Sequence, residues 1–386
     1  MSSASTASAD PRRQARELRP LIEAEADATD RALTLTEPLV DAFARTRLFH
    51  LMVPAQLGGL EADCDTILDV FEELAFADGS VGWSLMANAS ATSYVAFLEP
   101  AAAAQMVKDQ PRSTIAGQFS PFAHVVPEEG GYSVSGHFQF GSGCAHARYL
   151  GGAGFLLGEG GTPRLADDGL PLYLCFFVPR ERVALQGNWD VLGLRGTGSF
   201  DYEVPPQHVD AERTFLLFHS EVRSGGPLFR MGPVPLAGLG HAGWALGVAR
   251  RALEEIVGVA AGGRARMGSP ALRDQAVFQR ELGRQEMALQ SVRLLAHDAF
   301  GRCVRRLEAG DPMAKQDSDE LMSAIAYLTE VAQEVTLFAY RTAGSQGLRN
   351  PSLVQRCFRD LFTGALHIYV DPRSFEEWAR RRFSGA

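Results

Sequence analysis

The sequence predicts an α+β chain in three parts: an N-terminal helical domain, a central β-barrel or sandwich domain, and a C-terminal four-helix bundle. Three observations carry this. Apolar residues recur every three or four positions over 11–111, the period falls to two over 112–210, and long runs within 211–386 again carry narrow apolar stripes.

The first ten residues, MSSASTASAD, are small and polar and lack the basic-then-apolar order of a signal peptide; a disordered tail is expected. Thr36, Glu37 and Pro38 start a helix that carries Leu39, Val40, Phe43 and Leu48. Pro54 and Gly58-Gly59 interrupt. A second amphipathic segment holds Ile67, Leu68, Phe71 and Leu74 and stops near Asp78-Gly79. Ser80 is the expected cap of the next helix, which contains Trp83, Met86, Tyr94 and Phe97 and ends at Pro100. Ala101 to Val107 begin another.

In the middle third, Pro127 to Gly131 form a turn before a strand starting at Tyr132. Leu172 to Val178 is an apolar run short enough for a strand buried on both faces. Phe200, Tyr202 and Val204 alternate before Pro205-Pro206, which are expected to close the region. Residues 188–199 are too rich in glycine for a regular element. The bundle is read as Leu236–Ala261, Pro270–Glu308, Glu320–Arg341 and Leu353–Tyr369. Gly243 and Gly247 in the first helix invite close approach of a neighbour, and Phe278, Leu289, Val292, Ala296, Ala299 and Cys303 form the stripe of the second.

Composition excludes several function classes. A net charge of -9 gives no footprint for nucleic acid or an anionic membrane. No apolar run approaches the roughly 20 residues needed to span a bilayer. The cysteines are five, widely spaced and without a C-x-x-C pair, so neither a disulfide framework nor a structural metal site is expected, and the cytoplasm is the expected compartment. There is also no dinucleotide fingerprint, phosphate loop or nucleophile elbow.

Two stretches remain as chemical candidates. In Tyr132–Ala147, YSVSGHFQFGSGCAHA, a period of two places Tyr132, Val134, Phe138, Phe140 and then Ser142 on one face, so a hydroxyl faces inward between Gly141 and Gly143. Gly-Ser-Gly would also simply end the strand in a turn, with His146 ordering it. In the last long helix, Arg356, Asp360, Thr363 and His367 run at helical spacing beside an apolar stripe. Either this is a solvated face with an Arg356–Asp360 pair, or His367 is a general base. His241 and Trp244, three apart, would face a ligand or pack in the core. Arg264 and Arg266 follow Gly262-Gly263 and would hold a phosphate or be solvated.

Taken in order, ADGSVGW (77–83), GGYSVSGHFQFGSGCAHA (130–147), NWDVLGLRGTGSFDYEV (188–204), RARMG (264–268) and QRCFRDLFTGALH (355–367) resemble the acyl-CoA dehydrogenase fold. Within it the chain is similar to the flavin-dependent two-component (group D) monooxygenases. The resemblance implies that Ser142 bonds the flavin near N5, that Phe140 packs on its ring, and that Gly117, Gln118 and Ser120 approach its pyrimidine side. It assigns Gly344 and Ser345 to the cofactor as well. Arg264 would reach a flavin phosphate across a subunit interface, which implies a homotetramer. Trp83, His241 and Trp244 are the implied substrate pocket.

Many dehydrogenases of the fold carry a catalytic glutamate shortly after the Arg-Asp pair. Here that slot is Ile368, and its neighbour is His367, as in the monooxygenases. The implied activity is oxygenation of a small organic substrate, possible in secondary metabolism. It would use O2 and reduced FMN or FAD from a flavin reductase, through a C4a-peroxide. The alternatives are a dehydrogenase or other non-oxygenating enzyme on the same scaffold, and a catalytically silent binding member. Phenol hydroxylases of the group often carry a histidine about eight residues after the GW pair, where this chain has Ala91.

Overall fold

The computed structural model describes residues 10–383 except Arg264 and Arg266, with Glu159 placed by its backbone alone. The expected tail lies outside the described residues apart from Asp10, which caps the first helix by accepting from the Arg12 N–H. Five helices make the N-terminal part: α1 (Pro11–Ala32), α2 (Glu37–Thr46), α3 (Cys64–Ala77), α4 (Gly79–Ser93) and α5 (Pro100–Val107). α4 is the helix the others surround. Of its residues only Ala87 is not fully buried, because Gly, Ser and Ala on every side let neighbours approach all round. Its cap is Asp78 rather than Ser80. Asp78 is extended, and its Oδ1 accepts from the N–H groups of Ser80 and Val81, both at 3.0 Å.

The middle third holds β1 (Ile115–Pro121), β2 (Ala123–Glu128), β3 (Gly131–Gly141), β4 (Tyr149–Phe155), β5 (Tyr173–Pro179), β6 (Ala184–Leu185), β7 (Phe200–Asp210) and β8 (Thr214–Leu216). They form two open four-stranded sheets, β1-β4-β5-β8 and β2-β3-β7-β6, so this is a sandwich and not a closed barrel. β1 pairs with β4 in parallel; the other pairs are antiparallel. Val125, Val134, Phe138 and Tyr202 from one sheet meet Leu150, Leu174 and Phe176 from the other in a shared core. β5 is buried on both faces along its apolar run, as its composition predicts.

Two expectations fail here for one reason, a slipped ladder. β7 does not stop at Pro205-Pro206 but runs on to Asp210. The register slips where Val134 pairs with Gln207 and Gly136 with Val204, so the two prolines, which have no N–H to give, fall in the break. A second slip separates the Phe138–Tyr202 and Gly141–Phe200 pairs. Phe140 takes φ +60° inside it and turns outward, 56% exposed, instead of joining Phe138 in the core.

The C-terminal part contains α6 (Pro233–Ala261), α7 (Ala276–Glu308), α8 (Lys315–Ala343), α9 (Leu353–Gly364) and the short α10 (Arg373–Arg380). α6 presses on α3 at Gly243 and Gly247, where an added Cβ would lie 2.7 Å from the Leu68 carbonyl oxygen and 2.2 Å from that of Glu72. α7 begins six residues later than Pro270, after a short 3-10 turn. α9 ends at Gly364 rather than Tyr369, so His367 lies on the turn beyond the helix and not on its polar stripe. No described helix is long and apolar enough to cross a membrane.

Candidate functional site

Four segments distant in sequence converge at the N-terminal half of α4. α4 contributes Trp83 and Asn88, the turn after β3 contributes Ser142, α6 contributes His241 and Trp244, and the turn after α9 contributes His367 and Tyr369. Trp83 is the hub. Its ring meets Trp244 edge-on at 4.7 Å between centroids, His367 at 5.6 Å and His241 at 5.8 Å. Its indole N–H donates to the Ser142 hydroxyl at 3.0 Å. Gly364 makes this approach possible, since a Cβ there would lie 2.2 Å from Trp244 and 2.8 Å from Trp83.

Ser142 faces inward and is 9% exposed. The bulge at Phe140 and the turn that follows put it there, not strict alternation. Its hydroxyl lies 2.7 Å from that of Ser199, and Ser199 lies 2.6 Å from that of Thr197. Behind the turn, Asn88 donates to the carbonyls of Ser142 and Ile115. The Asn88 Oδ1 accepts from His146 Nε2 at 2.8 Å, so His146 orders the turn through Asn88. Burial lowers the His146 pKa to about 4. Phe140 stands over the surface with its ring edge-on to Trp189 at 6.3 Å. Gln118, on the partly exposed stretch 117–120 of β1, takes the Gln139 N–H on its Oε1 at 3.3 Å and so lies beside the same strand. Open space borders that strand: a cleft of about 470 Å³ is lined by Phe122, His137, Gln139 and Asp201. Another, about 400 Å³ between α7 and α8, shares no residue with the cluster.

His367 packs against Tyr369 at 4.6 Å between centroids and stays exposed on one side in the single chain. Packing among these rings lowers its pKa below the ordinary imidazole value, which favours the neutral form at pH 7. Its Nδ1 accepts from the Tyr369 N–H at 3.4 Å, which leaves the proton on Nε2. His241 is fully buried, and Thr329 fixes its tautomer. The Thr329 hydroxyl gives its proton to the Ile325 carbonyl at 2.8 Å, so it accepts from His241 Nε2–H at 3.2 Å. His241 Nδ1 is then an acceptor without a partner. Trp244 is also fully buried, behind Trp83, and gives its N–H to the Gly79 carbonyl at 2.9 Å.

The expected Arg356–Asp360 pair does not form. Arg356 turns to Asp78 and Asp27 instead. Asp360 accepts from the Leu194 N–H at 2.6 Å and so holds the 188–199 loop against α9. Burial, then the nearby Asp78, pushes Asp360 up to about 7. Gly344 and Ser345 sit at the end of α8 in a 3-10 turn, apart from these contacts. Arg264 lies outside the described residues. Sequence reasoning missed Ser199, Thr197, Asn88 and Tyr369. The first two lie in the NWDVLGLRGTGSFDYEV stretch, 188–204, but a period count shows no partner 57 residues away.

A family model described as acyl-CoA dehydrogenase, N-terminal domain, matches residues 12–108, and one described as acyl-CoA dehydrogenase, C-terminal domain, matches residues 239–372. The chain belongs to the acyl-CoA dehydrogenase superfamily. Both models fit the helical parts, and the sandwich between them carries Phe140 and Ser142. An indole-3-acetate monooxygenase of Pseudomonas putida is 29% identical over 352 residues, covering 90% of this superfamily member and 87% of the relative. The fold is shared with 3-HSA hydroxylase from Rhodococcus sp. RHA1 (TM-score 0.88, 21% identity, 97% and 96% of the two chains). It is shared equally with XiaF from Streptomyces sp., solved with FADH2 and glycerol (TM-score 0.87, 20% identity, 98% and 96%).

Proposed function

We propose that this chain is the oxygenase component of a two-component flavin-dependent monooxygenase. It takes reduced FMN or FAD from a separate reductase and transfers one atom of O2 to a small organic substrate. The observation that carries this reading is that His367 and Ser142 both contact Trp83, while Ile368, in the slot of a dehydrogenase's glutamate, is 68% exposed and has no basic group. The long relative acting on indole-3-acetate supports it.

The residues present fit a flavin ring. Phe140 offers an aromatic face outside the core, the edge of β1 at 117–120 lies beside it, and the Ser142 hydroxyl closes the inner end. When bound, the reduced flavin supplies the electrons that activate O2. Phe140 would pack on its ring and Ser142 would hold N5. Gly117, Gln118 and Ser120 would face its pyrimidine side, with Arg264, Gly344 and Ser345 serving the rest of the cofactor. His367 presents an Nε2–H donor to the reacting oxygen; with Nδ1 engaged by the Tyr369 N–H, it acts there as a hydrogen-bond partner. Trp83, Trp244, His241 and Tyr369 wall one side of that point. Ala91, the slot of the phenol-activating histidine, is a core position of α4, 7% exposed. His241, fully buried against Trp83 and Trp244, would back the substrate side of the site.

The assembly we propose is a homotetramer. Met287 and Leu294, one heptad apart on α7, are 59% and 60% exposed in the single chain, a stripe that a second copy would cover. A monomeric mass in light scattering at micromolar concentration would contradict it. The five cysteines are all free and buried, which supports a reducing compartment, the cytoplasm. The function is tested by supplying reduced flavin and 18O2 with a panel of indole and phenolic acids that includes indole-3-acetate. One labelled oxygen in a product is the expected result. Oxygen consumed wholly as hydrogen peroxide across the panel would count against oxygenation.

A further inference from the structure

The hydroxyls of Thr197, Ser199 and Ser142 form a chain whose proton directions are fixed at both ends. At one end Thr197 Oγ1 lies 2.8 Å from the Leu194 carbonyl oxygen, which can only accept. The single Thr197 proton is therefore committed there. Thr197 must then accept from Ser199 at 2.6 Å, which commits the Ser199 proton. Ser199 in turn must accept from Ser142 at 2.7 Å. At the other end Trp83 Nε1–H, which can only donate, enters Ser142 at 3.0 Å. All three hydroxyls are buried, and only this one orientation satisfies every contact. Ser142 is left with no proton to give and one lone pair to offer.

We propose that Trp83, Ser199 and Thr197 are positioning residues that set the redox preference of the flavin site, by making Ser142 an obligate acceptor. The inference rests on the reading that flavin binds at the end of β3. A reduced flavin carries a proton on N5 and can donate to that lone pair with the chain undisturbed. An oxidised flavin has only a lone pair at N5. To bond it, Ser142 must withdraw its proton from Ser199 and leave a buried acceptor unpaired, a loss on the order of tenfold in affinity. The protein thus captures flavin after reduction and releases it after reoxidation, as a chain supplied by a separate reductase requires.

The test compares dissociation constants for oxidised and anaerobically reduced FMN and FAD in wild type, Ser199→Ala and Thr197→Val. Ser199→Ala frees the Ser142 proton. Thr197→Val, nearly isosteric, lets Ser199 donate to Ser142 and reverses the chain. Both should tighten oxidised flavin by about tenfold, with little change for the reduced form. The midpoint potential of bound flavin should fall accordingly, by about 30 mV for a two-electron couple. A merely structural role would not tighten any ligand. Wild-type discrimination that survives both substitutions would overturn the relay while leaving flavin use intact. Absence of binding in either redox state would overturn the flavin reading itself, and the relay with it.

Discussion

Gly364→Ala places a methyl group where α9 crosses the two tryptophans, and its consequences can be worked from the packing. The new Cβ would sit 2.2 and 2.7 Å from two atoms of the Trp244 ring and 2.8 Å from the Trp83 ring. Ordinary contact requires α9 to retreat by about 1 Å or the rings to turn, and a close-packed interior resists both. Overpacking of this kind costs about 1–3 kcal/mol. The strain falls on two contacts of the site. Trp83 holds Ser142 through its indole N–H, and the His367 N–H bonds back to the Gly364 carbonyl at 3.1 Å. A displacement of about 1 Å at a reacting group is enough for a loss of about 10²-fold. Urea unfolding should show the destabilisation, and oxygenated product per reduced flavin consumed should fall while hydrogen peroxide rises. Wild-type stability together with wild-type product yield would refute the packing argument.

Three further outcomes follow from the same geometry. His367→Ala should keep fold and flavin binding but lose about 10²–10⁴-fold in product formation. His367→Gln should recover part of it if the Nε2–H donor is what matters, and equal turnover in wild type and the alanine variant would remove His367 from the mechanism. Ser142→Ala should weaken reduced flavin by the worth of one hydrogen bond, about 1 kcal/mol, with thermal stability nearly unchanged; unaltered affinity would make Ser142 a turn residue. Asp360→Asn mimics the protonated carboxyl. Because the folded pKa is raised, the folded state holds the extra proton, so wild-type stability falls as pH rises from about 4 to 7. Relative to wild type the asparagine variant should therefore gain up to about 1.4 kcal/mol per pH unit across that window, and parallel pH profiles in urea unfolding would contradict this.

Much of the fold was legible because burial imposes a period. α3 and α7 carry one-sided stripes, and β5 is an apolar run bounded by turns. What escaped lay where the period breaks for a tertiary reason. β4, YLGGAGF, has little strand character of its own; a Cβ at Gly152 would meet the rings of Phe138 and Phe176 at 2.5 and 2.7 Å, so its glycines are set by the facing β3 and the neighbouring β5. The bulge that turns Phe140 outward depends on pairing with β7, about sixty residues away in the chain. At the site, Ser142 and His367 were visible as residue types in suggestive places. Their partners were not, since the bonds that commit Ser142 join α4, β3 and the 194–199 loop. The placement of His367 beyond the helix end, not on its stripe, was likewise hidden, because the sequence continues a helical spacing past Gly364, where the helix ends.

The measurement that bears most directly on the central claim needs no knowledge of the substrate. Anaerobically reduced FMN or FAD is mixed with an excess of the protein and then with oxygenated buffer, and flavin reoxidation is followed by absorbance in stopped flow. Wild type is expected to delay the return of oxidised flavin well beyond the free-flavin time course, and Ser142→Ala to shorten the delay. Reoxidation at the free-flavin rate in the presence of saturating wild-type protein would contradict it.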